Sequence, residues 1–162
     1  IYQLTDFYIQ FYHDFCSRHT TDEHFWENSI NSPKQNTWYG LAYERLCMAH
    51  IPQIKEALGI QRIRTEYYSW RSKESVPAAQ VDLIIERADQ IISLCEIKYS
   101  KGIYSLDAKE EERLRNRITD FADETKVKEA VQLVLITTYG LKDNAHSTEV
   151  NDRVVLDDLF KS

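Results

Sequence analysis

Residues 81–98 read VDLIIERADQIISLCEIK, and this stretch decides the fold. In its first part, 81–86, apolar residues at odd positions alternate with a set at even positions that contains Asp82 and Glu86, as in a strand of a β-sheet. The segment 87–90 (RADQ) is typical of a turn, and the largely apolar segment 91–99 is typical of a second strand. The stretch therefore predicts a β-hairpin.

The sequence after the hairpin predicts a crossover connection. A charged segment, 107–124, carries sparse apolar residues and is expected to form a helix. It is followed by the continuous apolar run 131–138, which is typical of a strand buried on both faces. A strand, a helix and a strand in this order predict parallel pairing of the strands at 91–99 and 131–138.

Further strands and helices complete the expected fold class. Aromatic and β-branched residues at 62–70 predict a strand before the hairpin, and the valines at 154–155 predict a short last strand. Helical sequence is expected over 38–59, with a kink or a break at Pro52, which lacks a backbone N–H. We therefore expect an α/β fold, with a central mixed β-sheet flanked by helices on both faces.

Residues 1–39 differ in character from the rest, and we expect an N-terminal helical extension of the fold. A helix is expected over about 5–18, with Thr5 or Asp6 as its N-cap. Its aromatic stripe either packs in a core or faces another part of a longer protein. The stripe consists of Phe7, Phe11 and Phe15. The polar segment 24–38 is typical of a connector.

Composition and charge exclude several classes of protein. The chain has 162 residues, which suffice for one domain with a core, and its 20 basic and 26 acidic side chains give a net charge of −6. An acidic chain is not typical of a sequence-independent nucleic-acid coat, but a nucleic-acid enzyme with metal-binding carboxylates is compatible with it. With 4 Gly and 3 Pro, disordered and collagen-like proteins are excluded. No apolar run approaches the roughly 18 residues of a membrane span.

The cysteines, the glycines and the first residue are also informative. Cys16, Cys47 and Cys95 lie far apart among apolar residues, as in a reduced, cytoplasmic protein. The glycines cannot form a GxxxxGK[ST] or a GxGxxG phosphate loop. The chain has neither a signal peptide nor an initiator Met, so we expect it to be part of a longer protein.

Three charged residues of the hairpin are the strongest functional signal. Glu96 and Lys98 are two apart in a strand and point to the same face, and the turn at 87–90 brings Asp82 close to them. Mg²⁺ prefers carboxylate oxygens as ligands, and a lysine beside them can orient or deprotonate an attacking water. Glu44, on the preceding helix, can supply a third carboxylate. The alternative is an exposed and weak Glu96–Lys98 pair on an amphipathic strand.

At these residues the chain resembles the PD-(D/E)XK nuclease superfamily, whose fold is restriction-endonuclease-like. Asp82 with Glu96-x-Lys98 matches the signature of that superfamily, although Val81 stands where its name has a proline. Glu44, within GLAYE, matches the additional acidic position on the first helix.

The resemblance implies a role for each residue of the site. Asp82 and Glu96 are implied to be metal ligands. Gln80 is implied to be a polar contact near the metal. The implied catalytic residues are Asp82, Glu96, Lys98 and Glu44.

Several longer stretches resemble the C-terminal domain of bacterial and archaeal AAA-family ATPases, in which an ATPase and a winged helix precede this domain. The stretches are WYGLAYE (38–44), AQVDL (79–83), CEIKYS (95–100), TTYGL (137–141) and DLF (158–160). YQLTDFY (2–8) is similar to the end of that winged helix. The resemblance implies that 1–37 is the tail of a winged-helix region plus a connector, and that 38–162 is a nuclease-like domain.

The implied function is phosphodiester hydrolysis dependent on Mg²⁺ or Mn²⁺, with DNA as the expected nucleic-acid partner. The upstream ATPase and winged-helix domains are further expected partners, and ATP is expected to bind only to those domains. We expect no membrane association and a cytoplasmic location. One alternative is a catalytically silent nuclease-fold module that binds nucleic acid or a partner, and another is a structural sensor or effector arm of the ATPase.

The densest group of basic residues lies in the predicted helix 107–124. It consists of Arg113, Arg115 and Arg117, next to the glutamates at 110–112. A run of mixed charge on a helix is typical of a solvated face, and we interpret the arginines in this way.

Overall fold

A five-stranded mixed β-sheet forms the centre of the fold, with its strands in chain order. The computed structural model describes residues 6–17, 21–74 and 78–161. The strands are β1 (Thr65–Arg71), β2 (Gln80–Arg87), β3 (Ile91–Lys98), β4 (Ala130–Thr137) and β5 (Val150–Val155). The α-helices are α1 (Phe7–Phe11), α2 (Phe25–Ser29), α3 (Pro33–Ala49), α4 (Ile51–Ala57) and α5 (Ala108–Thr125). A π-helical turn, Tyr12–Cys16, follows α1, and a 3₁₀-helix, Leu156–Phe160, follows β5.

The predicted hairpin and the predicted crossover are both confirmed. β2 pairs antiparallel with β1 and with β3. α5 connects β3 to β4, which lie parallel, and β5 joins β4 in parallel at the far side of the sheet. Because β2 begins where β3 ends, the first residues of β2 and the last residues of β3 meet at one end of the sheet.

Helices cover both faces of the sheet and give the fold two apolar cores. α3 and α4 pack on one face, and α5 packs on the other. Alternate residues of β2 enter different cores: Leu83 and Ile85 face α3 and α4, whereas Ile84 faces α5. β3 is buried on both sides, which explains its largely apolar sequence. The expected α/β class, a mixed sheet between helices, is thus confirmed.

The phase of α5 on the sheet is set by its cap and its apolar residues. Asp107 is the N-cap, and its Oδ1 accepts a hydrogen bond from the backbone N–H of Glu110 at 2.8 Å. Leu114 and Phe121 are buried in the core between α5 and the sheet. The Phe121 ring contacts Trp70 of β1 edge-on at 5.4 Å between centroids. These contacts determine which side chains of α5 face the sheet.

α3 begins at Pro33, before the expected start near Trp38. The Ser32 hydroxyl accepts a hydrogen bond from the backbone N–H of Gln35, and proline is favoured in a first helical turn. The segment 24–38 is therefore not the irregular connector that we expected, because it contains α2 and the first turns of α3. The boundary expected between residues 37 and 38 lies inside α3, and the division into two domains stays a prediction.

Aromatic rings hold the N-terminal helical segment, which consists of α1 and the π-helical turn Tyr12–Cys16, against α3. Phe11 and Phe15 both contact the indole rings of Trp26 and Trp38, at 5.2 to 5.9 Å between centroids. Phe15 is buried. Of the two uses considered for the aromatic stripe, core packing is therefore the one that applies to these two rings.

Three further predictions concern helix ends and helix length. Asp6 caps α1 by accepting a hydrogen bond from the backbone N–H of Ile9 at 2.8 Å, whereas Thr5 lies outside the described residues, as does the expected helix end at Arg18. The break expected at Pro52 is confirmed, since α3 ends at Ala49 and α4 begins two residues later. In the described parts of the chain, no helix combines the length and the apolar character needed to cross a bilayer.

Candidate functional site

The hairpin brings Asp82 of β2 beside Glu96 of β3. Leu83 pairs with Cys95 in antiparallel register, so Asp82 and Glu96 are the next residues of the two strands beyond that pair. Lys98 lies two residues further along β3 and on the same face as Glu96. The three side chains therefore share one end of the sheet.

Glu96 is a buried carboxylate held between cations. The residue is 1% exposed, and its Oε1 lies 2.7 Å from Nζ of Lys98. Its Oε2 accepts a hydrogen bond from Nη1 of Arg117, and Nη2 of Arg113 lies 4.0 Å from Oε1. An ionised carboxylate at this depth requires such partners, because an unpaired buried charge is strongly destabilising. The alternative of an exposed Glu96–Lys98 surface pair is therefore wrong.

Arg117 is the residue of this site that was not predicted from the sequence. The expected solvated helix face describes Arg115, which is exposed and pairs with Glu149 at 2.6 Å. Arg117 instead lies three residues after Leu114 and four before Phe121, so helical spacing places it on the buried side of α5. The interpretation of Arg117 as solvated is wrong, and this spacing is the signal that would have identified it.

Asp82 is a partly buried carboxylate whose charged form is disfavoured. Burial raises the pKa of Asp82 above its ordinary value, and the negative charge of Glu96 raises it further. A hydrogen bond of 3.2 Å from Nε2 of Gln80 to Oδ1 opposes this rise, as do the positive charges of Arg117 and Lys98. Gln80 is thus a polar neighbour of Asp82, and its role near a metal stays a prediction.

Glu44 approaches the same end of the sheet from α3. Burial raises the pKa of Glu44, and the charge of Asp82 raises it next, while the charge of Lys98 opposes the rise. Glu44 and Lys98 line one cleft of about 390 Å³. Because these electrostatic effects require proximity, Glu44 belongs to the same group of side chains. We call Glu44, Asp82, Glu96, Lys98 and Arg117 the charged cluster.

A second cleft, of about 860 Å³, runs along α5. Gln80 and Arg117 line this cleft, together with Arg113 and Asn116. The charged cluster therefore faces a cleft on each side, one through Glu44 and Lys98 and the other through Arg117.

Two carboxylates of the charged cluster are of the type that binds a small divalent cation. Asp82 and Glu96 supply carboxylate oxygens, and Mg²⁺ is commonly held by one or two carboxylates together with water and phosphate oxygens. Over residues 6–17, 21–74 and 78–161, no group of three or more His, Cys, Asp or Glu side chains is arranged to hold a metal ion. A cation here would bind to two protein carboxylates and would compete with Arg117 for Oε2 of Glu96. The metal-binding and catalytic roles of the charged cluster stay predictions.

Comparison with known proteins assigns no family. No protein-family model matches the chain, and no curated protein matches it. One similar solved structure is the crystal structure of a protein of unknown function, AF1548, with a TM-score of 0.47 and 15% identity. The alignment covers 70% of this chain and 64% of that chain, so the chain spans less than two thirds of the length of that protein.

Proposed function

We propose that the chain is a metal-dependent nuclease domain that hydrolyses phosphodiesters, with DNA as its substrate. The observation that carries the proposal is the buried carboxylate of Glu96 beside Asp82, with Nζ of Lys98 at 2.7 Å from Oε1. Carboxylates with raised pKa values beside a cleft are typical of catalytic sites, and Asp82 and Glu44 are of this kind. The match to the PD-(D/E)XK signature supports the same chemistry.

Each residue has a defined part in the proposed reaction. Mg²⁺ or Mn²⁺ held by Asp82 and Glu96 would supply Lewis-acid stabilisation of charge on the phosphate. Lys98 donates a hydrogen bond to the attacking water and orients it. The Glu44 carboxylate accepts a proton from that water, and burial makes it a better base by raising its pKa. The water oxygen forms a bond to phosphorus, a P–O ester bond breaks, and the leaving oxygen takes a proton from solvent.

The proposed partners follow from the charge of the chain and from the resemblance. With a net charge of −6, the chain lacks the basic excess that sequence-independent DNA binding requires. In the proposal, ATPase and winged-helix domains of the same protein bind the DNA and present it to the nuclease site. ATP acts only through those domains, and the protein works in the cytoplasm.

The test is DNA cleavage by the full-length natural protein with ATP and with Mg²⁺, Mn²⁺ or a chelator. Asp82→Ala should abolish Mn²⁺ binding, measured by calorimetric titration, and cleavage together. Lys98→Ala should retain Mn²⁺ binding and lose most of the cleavage rate, since the lysine acts on the water. Lys128→Ala is the matched control, because Lys128 is exposed and precedes β4 at the opposite end of the sheet. Cleavage by the wild type that does not exceed cleavage by Asp82→Ala refutes the nuclease function.

A catalytically silent module is the second candidate. It is favoured by the ion pairs of Glu96, because Lys98 and Arg117 already bind both of its carboxylate oxygens. In this case Asp82→Ala leaves the binding of DNA or of a partner unchanged, and the wild type cleaves DNA no faster than this variant. The same assay therefore separates the two candidates.

A further inference from the structure

Arg117 lies where the proposed metal would bind. Its guanidinium donates a hydrogen bond to Oε2 of Glu96 and also interacts electrostatically with Asp82. Its positive charge therefore acts on both carboxylates proposed as ligands, and its hydrogen bond is to Glu96. A divalent cation and a guanidinium repel each other strongly at contact distance in a partly buried site. A cation bound to both carboxylates would thus displace Arg117 from Oε2.

The displaced side chain has a polar cleft to enter. Arg117 lines the cleft of about 860 Å³ along α5, where its neighbours include Gln80, Arg113 and Asn116. Its side chain is 15% exposed, so it already borders solvent on that side. A guanidinium binds a phosphate through two parallel N–H groups, which makes arginine well suited to hold a nucleic-acid backbone.

The charges of the charged cluster favour such an exchange. Its three carboxylates, when ionised, outweigh its two cations by one negative charge. Arg113 beside Glu96 does not change this balance, because it pairs with Glu110 at 3.5 Å. A divalent cation reverses this balance to one positive charge, which the single negative charge of a phosphodiester cancels. The cluster is thus closest to neutral when the cation, the displaced Arg117 and a phosphate are present together.

We propose that Arg117 exchanges between Glu96 and a backbone phosphate of the nucleic acid, so that divalent-cation binding at Asp82 and Glu96 releases it to hold the substrate. This inference rests on the proposed function, because it requires the cation at those two carboxylates. It gives Arg117 two parts. The residue competes with the cation for Glu96, and it binds phosphate once the cation is in place.

Arg117→Gln should change the two affinities in opposite directions. In calorimetric titrations of the full-length protein with Mn²⁺ alone, the variant should bind at least about fivefold more tightly, because a competing positive charge is gone. In anisotropy titrations with a short fluorescein-labelled DNA duplex in Ca²⁺, it should bind roughly tenfold more weakly, with the slope of log affinity against log salt lowered by about 1.

Two further variants control for charge and for folding. Arg115→Gln makes the same charge change two residues away on α5, but it removes an exposed pair with Glu149, so Mn²⁺ affinity should be unchanged and DNA affinity nearly so. Arg117→Lys keeps a cation beside Glu96 and protects the fold. It should retain the wild-type Mn²⁺ affinity and lose part of the DNA affinity, since an ammonium cannot make the bidentate contact.

The outcomes separate this inference from the proposed function. Weaker Mn²⁺ binding in Arg117→Gln, or affinities equal to those of Arg115→Gln, would overturn the exchange. If the wild type binds Mn²⁺ and Arg117→Gln binds it equally well, the exchange is refuted and the nuclease proposal stands. If the wild type binds Mn²⁺ no better than Asp82→Ala does, the proposed function fails, and the exchange fails with it.

Discussion

Replacing Glu96 by Gln tests whether its ion pairs stabilise the end of the sheet. Gln has the same shape, but its amide nitrogen is a donor and would face a donor of Lys98 or Arg117. The variant therefore loses one hydrogen bond to a charged group, which contributes about 1.5–3 kcal/mol, and weakens the other. The Lys98 and Arg117 side chains are 28% and 15% exposed, so they can turn partly to solvent and limit the loss. We expect the free energy of unfolding to fall by about 2–3 kcal/mol.

Glu149→Gln is the matched control for this measurement. Glu149 also pairs with an arginine of α5, Arg115, at 2.6 Å, but the two side chains are 40% and 55% exposed. Such a pair contributes less than about 1 kcal/mol. The assay is urea unfolding followed by tryptophan fluorescence and far-UV circular dichroism. Raising NaCl to about 0.5 M should remove the effect of Glu149→Gln and leave most of the effect of Glu96→Gln, because buried pairs are screened less.

The result that refutes this reasoning is a small or inverted effect at Glu96. If Glu96→Gln costs no more than Glu149→Gln, or stabilises the protein, then desolvation of the Glu96 charge cancels what its partners contribute. In that case the ion pairs of Glu96 do not stabilise the fold.

Three other variants test separate features of the structure. Glu44→Gln should raise the free energy of unfolding at pH 7, because burial raises the pKa of Glu44 in the folded state and so disfavours its charged form. A raised folded-state pKa means that stability is lost as pH rises through that pKa, so the advantage of the variant in urea unfolding should disappear below about pH 4. Phe121→Ala removes a fully buried ring between α5 and the sheet and should lower the free energy of unfolding by about 3–5 kcal/mol. In urea unfolding the midpoint concentration should fall, and the slope of free energy against urea concentration should stay unchanged. Trp38→Ala removes ring contacts to Phe11 and Phe15 and should accelerate proteolysis in the N-terminal helical segment, with little change in the unfolding of the sheet.

Each of these three has an outcome that would contradict it. For Glu44→Gln it is a difference in stability that stays constant with pH. For Phe121→Ala it is a cost below about 1 kcal/mol, which a ring in a packed core would not give. For Trp38→Ala it is a proteolysis rate equal to that of the wild type.

The strands were predictable because their patterns have a direct physical cause. The alternation at 81–86 reflects two faces that meet different cores, and the apolar run at 131–138 reflects burial of β4 on both sides. The same period of two brought Asp82, Glu96 and Lys98 to one end of the sheet. Parallel pairing of β3 and β4 then followed from the helix between them.

Two features differ from what local composition predicts, because the neighbouring sequence decides them. The segment 24–38 is rich in asparagine and other polar residues, which suggested a connector, whereas the pair Ser32 and Pro33 is a helix-start signal that takes precedence there. The charge of its neighbours predicts that Arg117 is solvated, whereas its helical phase relative to Leu114 and Phe121 turns it toward the sheet. Charge alone does not indicate burial. The periodicity of the apolar residues does.

Glu96 is a buried charge in a largely apolar strand, and one of the two cations that pair with it comes from another element. Within β3, only Lys98 pairs with its carboxylate among the described contacts, and the second cation is supplied by α5, whose phase is set by Leu114 and Phe121. Local exceptions of this kind are expected at functional sites. The stability of Glu96→Gln and the metal affinity of Arg117→Gln therefore both test the ion pair between Glu96 and Arg117. If Glu96→Gln lowers the stability and Arg117→Gln leaves the Mn²⁺ affinity unchanged, the ion pairs of Glu96 are purely structural. If Glu96→Gln lowers the stability and Arg117→Gln binds Mn²⁺ more tightly, a metal ion can compete for the same carboxylate, as the proposed chemistry requires.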